Sequence, residues 1–211
     1  MPQLNLFDQA AATPDSLNDF IDTMMHMQDD PLADAGTRVV ISRGNPQSRL
    51  MIVGEAPGPQ ENIQGKPFVG RAGQLLDKIL LAANFDPDKD VYITNSVFRM
   101  PPGEAGAAFR KPTNQEIEFY KPYLLKIIHL VNPWIILLSG NVACQSMLGE
   151  TGITRLRGKW TQIEGRWVMP IFHPSYLLRN PSRNPGSPKA LMWEDIQAVR
   201  RKYDLLASST A

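Results

Sequence analysis

Three side chains able to handle protons or read hydrogen-bonding edges stand where apolar runs give way to loops. Glu55 follows Leu50-Met51-Ile52-Val53 within Gly54-Glu55-Ala56-Pro57-Gly58, Asn95 closes Val91-Tyr92-Ile93-Thr94, and His173 follows the run from Trp167 to Phe172 and opens His173-Pro174-Ser175. A carboxylate, a carboxamide and an imidazole supply a base, a paired donor and acceptor, and a titratable donor. Taken singly, each has an everyday structural role. Glu55 reads as the solvated residue of a turn, Asn95 as a turn or cap residue, and His173 as a structural histidine at a strand end.

The elements that must position these residues alternate. Short apolar runs bounded by turn residues read as buried strands, which predicts strands at Leu50–Val53, Val91–Thr94 and Trp134–Ser139, followed by a pair at Trp160–Ile163 and Trp167–Phe172. Between them, helical periodicity predicts helices at Ala72–Ala83, Asn114–Leu130, Val142–Leu148 and Trp193–Leu206. An earlier helix, capped by Asp15 or Ser16 and running to Met27, puts Leu17, Phe20, Ile21 and Met24 on one face. Strand–helix alternation argues for a mainly parallel sheet covered on both faces. The expectation is an α/β fold, three-layer α/β/α around a four-stranded sheet, forming a single domain over residues 16–211 behind a flexible tail of residues 1–15. Ligands of such sheets sit at the carboxyl ends of the strands, where Glu55, Asn95 and His173 would converge. The stretches 101–112 and 180–188 read as loops.

Composition narrows the setting. The chain has 211 residues and a formal net charge of only +1, so binding to nucleic acid would rest on a local basic patch. No apolar run has the length of a membrane span and no charged-then-apolar leader is present, so the reading is a cytoplasmic protein without membrane contact. A single cysteine, Cys144, excludes an internal disulfide and a multi-cysteine metal site. Its short helical setting suggests a packing residue.

The motifs extend beyond three residues. Gly54 to Asn62 (GEAPGPQEN) continues into Gln64-Gly65-Lys66-Pro67-Phe68-Val69-Gly70-Arg71-Ala72-Gly73, and downstream stand Val91 to Asn95, Arg155-Leu156-Arg157-Gly158-Lys159-Trp160 and His173-Pro174-Ser175-Tyr176-Leu177-Leu178. From about Pro31 onward the chain resembles the uracil-DNA glycosylases, specifically the iron–sulfur branch called family 4. The resemblance implies a monofunctional glycosylase that flips uracil out of DNA and hydrolyses its N-glycosidic bond with water, initiating base excision repair. It implies catalytic roles for Glu55, on the water and the cationic sugar, and for His173, on uracil O2. Gly54, Ala56, Glu61, Phe68 and Asn95 would line the base pocket. Phe68 would stack on the ring, and Asn95 would offer an acceptor to N3–H and a donor to O4, a pairing that cytosine reverses. Arg155, Arg157, Lys159, Ser175, Tyr176, Leu177, Leu178 and Arg179 are the expected DNA contacts, with Arg183 a further candidate for phosphate; one of the two leucines competes with a core role. Lys66, beside the motif, reads as a solvated loop charge, so no Schiff base is expected. Two other readings stay open, a glycosylase for hypoxanthine or xanthine and a non-catalytic DNA-binding relative.

One departure from that branch is plain. Family 4 enzymes hold a four-iron cluster with four cysteines, and the matching positions here are Met27, Asp30, Arg99 and Tyr120. None is a thiolate donor, so no cofactor is expected. Asp30 and Arg99 are candidates for a salt bridge, with Met27 and Tyr120 filling the volume. At the other extreme of the chain, Gln3-Leu4-Asn5-Leu6-Phe7 resembles the pentapeptide that docks bacterial proteins on the sliding clamp, with Gln3, Leu4, Leu6 and Phe7 as anchors. The expected partners are uracil-containing DNA and the clamp, bound by a monomer in a bacterial cytosol.

Overall fold

The computed structural model describes residues 16–103 and 108–209. The four apolar runs that close on Gly54, Asn95, Ser139 and Ile171 form the sheet's centre: β2 (Leu50–Gly54), β3 (Val91–Asn95), β4 (Ile135–Ser139) and β6 (Arg166–Ile171), all parallel to their neighbours. Two short strands, β1 (Ser42–Gly44) and β5 (Thr161–Ile163), pair antiparallel at the edges. The sheet is therefore six-stranded, in the order β1-β3-β2-β4-β6-β5, rather than four-stranded. Each edge strand has three residues and none is fully buried; β5 falls within the strand expected at Trp160–Ile163, whereas β1 carries no apolar run that marks it in sequence.

Strand alternation divides the core in two. Met51, Val53, Tyr92, Ile136, Leu138 and Val168 face one layer, which contains residues of α1 (Leu17–Met25), α4 (Asn114–Val131) and α5 (Asn141–Leu148). Leu50, Ile52, Val91, Ile93, Ile135, Leu137, Met169 and Ile171 face the other, formed with α3 (Arg71–Ala82), α7 (Pro174–Arg179) and α8 (Pro188–Ser208). This is the α/β/α layout expected. The short helices α2 (Pro59–Gln64) and α6 (Ile153–Leu156) complete the order. Ser16 caps α1 by accepting from the Asp19 amide at 3.2 Å, and Thr113 and Glu116 form a reciprocal cap on α4. Cys144 is fully buried in α5, and burial pushes its thiol up to about 12, so it is a packing residue. Among the described residues, no helix is long and apolar enough to cross a membrane. The glutamine and apolar anchors Gln3, Leu4, Leu6 and Phe7 lie outside the described residues.

Asp30 and Arg99 meet as a buried ion pair, with Arg99 Nε donating to Asp30 Oδ2 at 2.8 Å. Tyr120 does more than fill space, since its hydroxyl donates to Asp30 Oδ1 at 2.5 Å and the Leu32 amide donates to the same oxygen at 2.9 Å. Arg99 also donates to the Met27 carbonyl at 2.8 Å and to the Thr37 carbonyl. The Tyr120 ring packs edge-on against Phe98 and Phe119, and burial together with the Asp30 bond raises its phenol well above the ordinary range. One knot thus ties the segment after α1, the chain beyond β3 and helix α4. These four side chains do not fit an iron–sulfur cluster, which requires thiolates, and among the described residues no group of three or more histidine, cysteine or acidic side chains could hold a metal ion.

Removing one partner from a buried ion pair leaves the other charge uncompensated, at a cost of about 3–5 kcal/mol. Arg99→Ala should therefore lower the melting temperature on the order of 10 °C in a domain of this size. Asp30→Ala combined with Arg99→Ala should lower it by less than the sum of the single changes, because the two residues act as a pair. An unchanged melting temperature in the double variant would show that the knot holds nothing.

Candidate active site

The carboxyl ends of the four central strands bring the expected residues together. Gly54 and Asn95 are register partners at the ends of β2 and β3, with Glu55 next in the chain. The loop is pinned to its neighbour strand, as Ser96 donates to the Gly54 carbonyl from both its amide (3.0 Å) and its hydroxyl (2.8 Å), and the Val97 amide donates to the Glu55 carbonyl. His173 stands just beyond β6 and caps α7. Gly140, just beyond β4, gives it room, since a Cβ at that position would lie 3.1 Å from the His173 Cβ.

Phe68 holds the group together. Its ring centroid lies 5.7 Å from that of His173, tilted by 36°. It also presses on β2, where a Cβ at Gly54 would come within 2.5 Å of two ring carbons and 2.4 Å of the Asn95 Oδ1. The Phe68 backbone is in the left-handed region (φ +55°), a conformation that costs a non-glycine residue roughly 1–3 kcal/mol and persists only when its surroundings enforce it. Glu61, on α2, supplies part of that enforcement. One of its oxygens accepts from the amides of Val69 (2.9 Å) and Gly70 (2.7 Å), and the other accepts from the Gly58 amide at 3.1 Å. Glu61 therefore stitches the Gly54–Gly58 turn to the loop carrying Phe68. Ala56 packs against the α1/α4/α5 layer and is only partly buried.

The electrostatics sort the titratable groups. His173 Nδ1 accepts from the Ser175 amide at 3.2 Å and lies 2.8 Å from the Ser175 hydroxyl. A nitrogen that accepts from an amide carries no proton, so the neutral ring bears its hydrogen on Nε2, free to donate. Burial, assisted by the Arg179 cation, pushes His173 down to about 4 from its ordinary 6.5. Burial raises Glu55 above its ordinary 4.5, and Lys111 and Arg179 oppose that rise. Asn95 is buried, yet its carboxamide bonds to no group among the described residues. The strand ends thus gather, as the walls of a candidate slot, an aromatic platform, a carboxamide and an imidazole N–H, with a carboxylate next to Gly54 in the chain. Such a slot suits a planar heterocycle attached to something that develops positive charge.

The motif residues do not all face this slot. Leu177 is fully buried in the α3/α7/α8 layer, whereas Leu178 is 38% exposed, so only Leu178 is free to reach a ligand outside the core. Arg157 is committed to Asp195 through two hydrogen bonds, donates to the Leu191 carbonyl and lies over the Phe172 ring. It is a structural staple between α6 and α8, not a free cation. The segment His173–Leu178 is a helical turn rather than a strand end, which is why its two leucines point apart. Arg155, Lys159, Arg179 and Arg183 are exposed, and Tyr176 packs on Phe172. Lys66 is exposed on its loop. Lys111, whose charge falls on Glu55, drew no notice in the sequence because it closes a loop without a motif.

Residues 41–197 match the family described as the uracil DNA glycosylase superfamily. A type-4 uracil-DNA glycosylase of Thermotoga maritima is 38% identical over 175 residues, covering 81% of this chain and 85% of that protein. One of the same description from Archaeoglobus fulgidus is 34% identical over 177 residues, covering 79% and 85%. A DNA polymerase of Bacillus phage SP01 is 35% identical over 152 residues, a stretch that is 16% of its own length.

The His173 tautomer and its pH behaviour are both measurable. Nitrogen chemical shifts should report a neutral ring protonated at Nε2 down to about pH 5; an imidazolium at pH 6 would refute the assignment. Because the folded pKa lies below the ordinary value, the unfolded chain binds the proton more readily. The His173 contribution to stability is then full above about pH 6.5 and is lost as pH falls through about 4.

Proposed function

The chain belongs to the uracil DNA glycosylase superfamily, and from that premise we propose that it is a monofunctional uracil-DNA glycosylase that works with water and without an iron–sulfur cluster. The observation that carries this reading is the Phe68 ring lying against both His173 and Gly54, with the Asn95 carboxamide at its margin. A base inside a duplex is out of reach, so uracil is flipped into the slot and stacked on Phe68. Asn95 accepts from N3–H and donates to O4. Cytosine presents the opposite pair and would leave a buried carboxamide mismatched, which is where discrimination arises.

Chemistry follows from charge placement. As the C1′–N1 bond breaks, its electron pair stays on the base and spreads onto O2, where the His173 Nε2–H donates. A donor already oriented in a dry site stabilises that charge without reorganisation. The sugar is left oxocarbenium-like, and the Glu55 carboxylate stabilises it and accepts the proton of the water that adds to C1′. Arg179, with Arg155, Lys159 and Arg183, meets backbone phosphates, and Leu178 with Tyr176 fills the gap left in the base stack. The enzyme starts base excision repair as a monomer in a bacterial cytosol, tethered to the sliding clamp through Gln3, Leu4, Leu6 and Phe7.

An end-labelled oligonucleotide with one uracil tests the reading. Breakage should appear only after hot alkali, and Glu55→Gln and His173→Ala should each slow excision by about 10²–10³-fold. Breakage without alkali would mean an amine attacks the sugar, with Lys111 the first to replace. No release of uracil would overturn the reading and send the assay to hypoxanthine and xanthine. Deleting residues 1–8 should abolish clamp binding and leave excision from a short oligonucleotide intact.

A further inference from the structure

We propose that Arg43 is a positioning residue, which acts through Phe68 by fixing the peptide on which the aromatic platform stands. The proposal deepens the uracil-excision reading and rests on it. Arg43 lies on the edge strand β1, carries no motif, and has a side chain only 11% exposed, so it is not a phosphate contact. Its guanidinium reaches across to the loop after α2, where Nε donates to the Pro67 carbonyl at 2.9 Å and one terminal nitrogen donates to the Phe68 carbonyl at 3.3 Å. The same terminal nitrogen pairs with Asp77 Oδ1 on α3 at 2.5 Å.

The rest of the loop's polar groups are held from the other side. Glu61 accepts from the Val69 and Gly70 amides. Two successive carbonyls are therefore held by a cation and the next two amides by an anion, with Phe68 in its left-handed conformation between them. Gly73 closes the fit, since a Cβ there would come within 1.8 Å of the Phe68 carbonyl oxygen. The charged clamp holds the peptides on either side of Phe68, and Asp77 holds Arg43 in the fork geometry that reaches both carbonyls. A displacement of the platform of about 1 Å can cost on the order of 10²-fold in rate, because a base that is stacked askew misaligns with the donors at its edge.

The test is a double-mutant cycle on single-turnover uracil excision, with melting temperatures recorded alongside. Arg43→Ala should reduce the rate about 10–100-fold in the wild-type background. It should have less than about 3-fold effect in a Phe68→Ala background, where the platform is already gone. Asp77→Asn, a milder change, should show the same non-additivity and serves if Arg43→Ala folds poorly. Losses that multiply in both backgrounds, or an Arg43→Ala enzyme at wild-type rate, would overturn the proposal. A second readout does not need activity. With 4-fluorophenylalanine incorporated and the Phe68 resonance assigned by its loss in Phe68→Leu, that signal should shift or broaden in Arg43→Ala. An unmoved signal would also overturn the proposal, whereas a wild-type enzyme inert on uracil would strike the functional reading and leave the fluorine test standing.

Discussion

The Phe68 ring lies against the backbone at Gly54, in the volume that a side chain there would fill, and much of the site is arranged to keep it there. The contact requires glycine at the end of β2, and it requires the chain at Phe68 to turn left-handed so that the ring points back at the sheet. It requires Gly73 at the start of α3, where the Phe68 carbonyl passes too close for a Cβ. The register of β2 with β3 then sets Asn95 beside Gly54, and the exit of β6 sets His173 against the same ring. Parallel strands ending at one level turn residues remote in sequence into neighbours, and the aromatic ring is the surface they share.

The Asp30–Arg99–Tyr120 knot works on another part of the molecule. A metal cluster cross-links segments by covalent ligation. Here a carboxylate with three donors and a guanidinium with three acceptors link the same number of segments by hydrogen bonds. Buried ion pairs are poor sources of net stability compared with apolar packing. Their value is directional, because Asp30 is satisfied only when β3, α1 and α4 stand at their proper separations. The knot sits on the α1/α4/α5 side of the sheet, whereas Phe68 belongs to the opposite layer. The short link between knot and slot is the chain itself, from Arg99 back to Val97, whose amide donates to the Glu55 carbonyl.

Legibility in the sequence followed burial. The four central strands are continuous apolar runs, buried on both faces, and they stood out together with the three polar residues that end them. The edge strand β1 did not, since three half-exposed residues carry no pattern and its pairing comes from β3, whereas β5 falls within the strand expected at Trp160–Ile163. Leu177 and Leu178 are chemically alike, and only the helical turn of α7, which a Pro-Ser-Tyr-Leu-Leu run does not announce, decides which is core. Arg157 and Arg179 are also alike on paper. Asp195, distant in sequence, captures the first and leaves the second facing Glu55 and His173. Arg43 was invisible for the same reason, because its partners are two backbone carbonyls that any sequence possesses and Asp77, distant in sequence.

Arg179 has a consequence for the two titratable groups that burial alone would not produce. Burial drives every ionisable group toward neutrality, which raises the carboxyl of Glu55 and lowers the imidazole of His173. For the proposed reaction a neutral imidazole is the useful form, as it donates from Nε2 while the Ser175 amide occupies Nδ1. A neutral carboxyl is not, since neither the water's proton nor the sugar's positive charge has use for it. Arg179 lessens the conflict, because its charge opposes the effect of burial on Glu55 and adds to it on His173. At Glu55 the larger opposing charge is Lys111, with Arg179 second, whereas at His173 Arg179 acts with burial. Arg179, exposed at the end of α7, thus acts on both groups, against burial at Glu55 and with it at His173. On the proposed reading, phosphate that neutralised Arg179 would remove part of the support of Glu55 and leave Lys111 as the cation that opposes burial there.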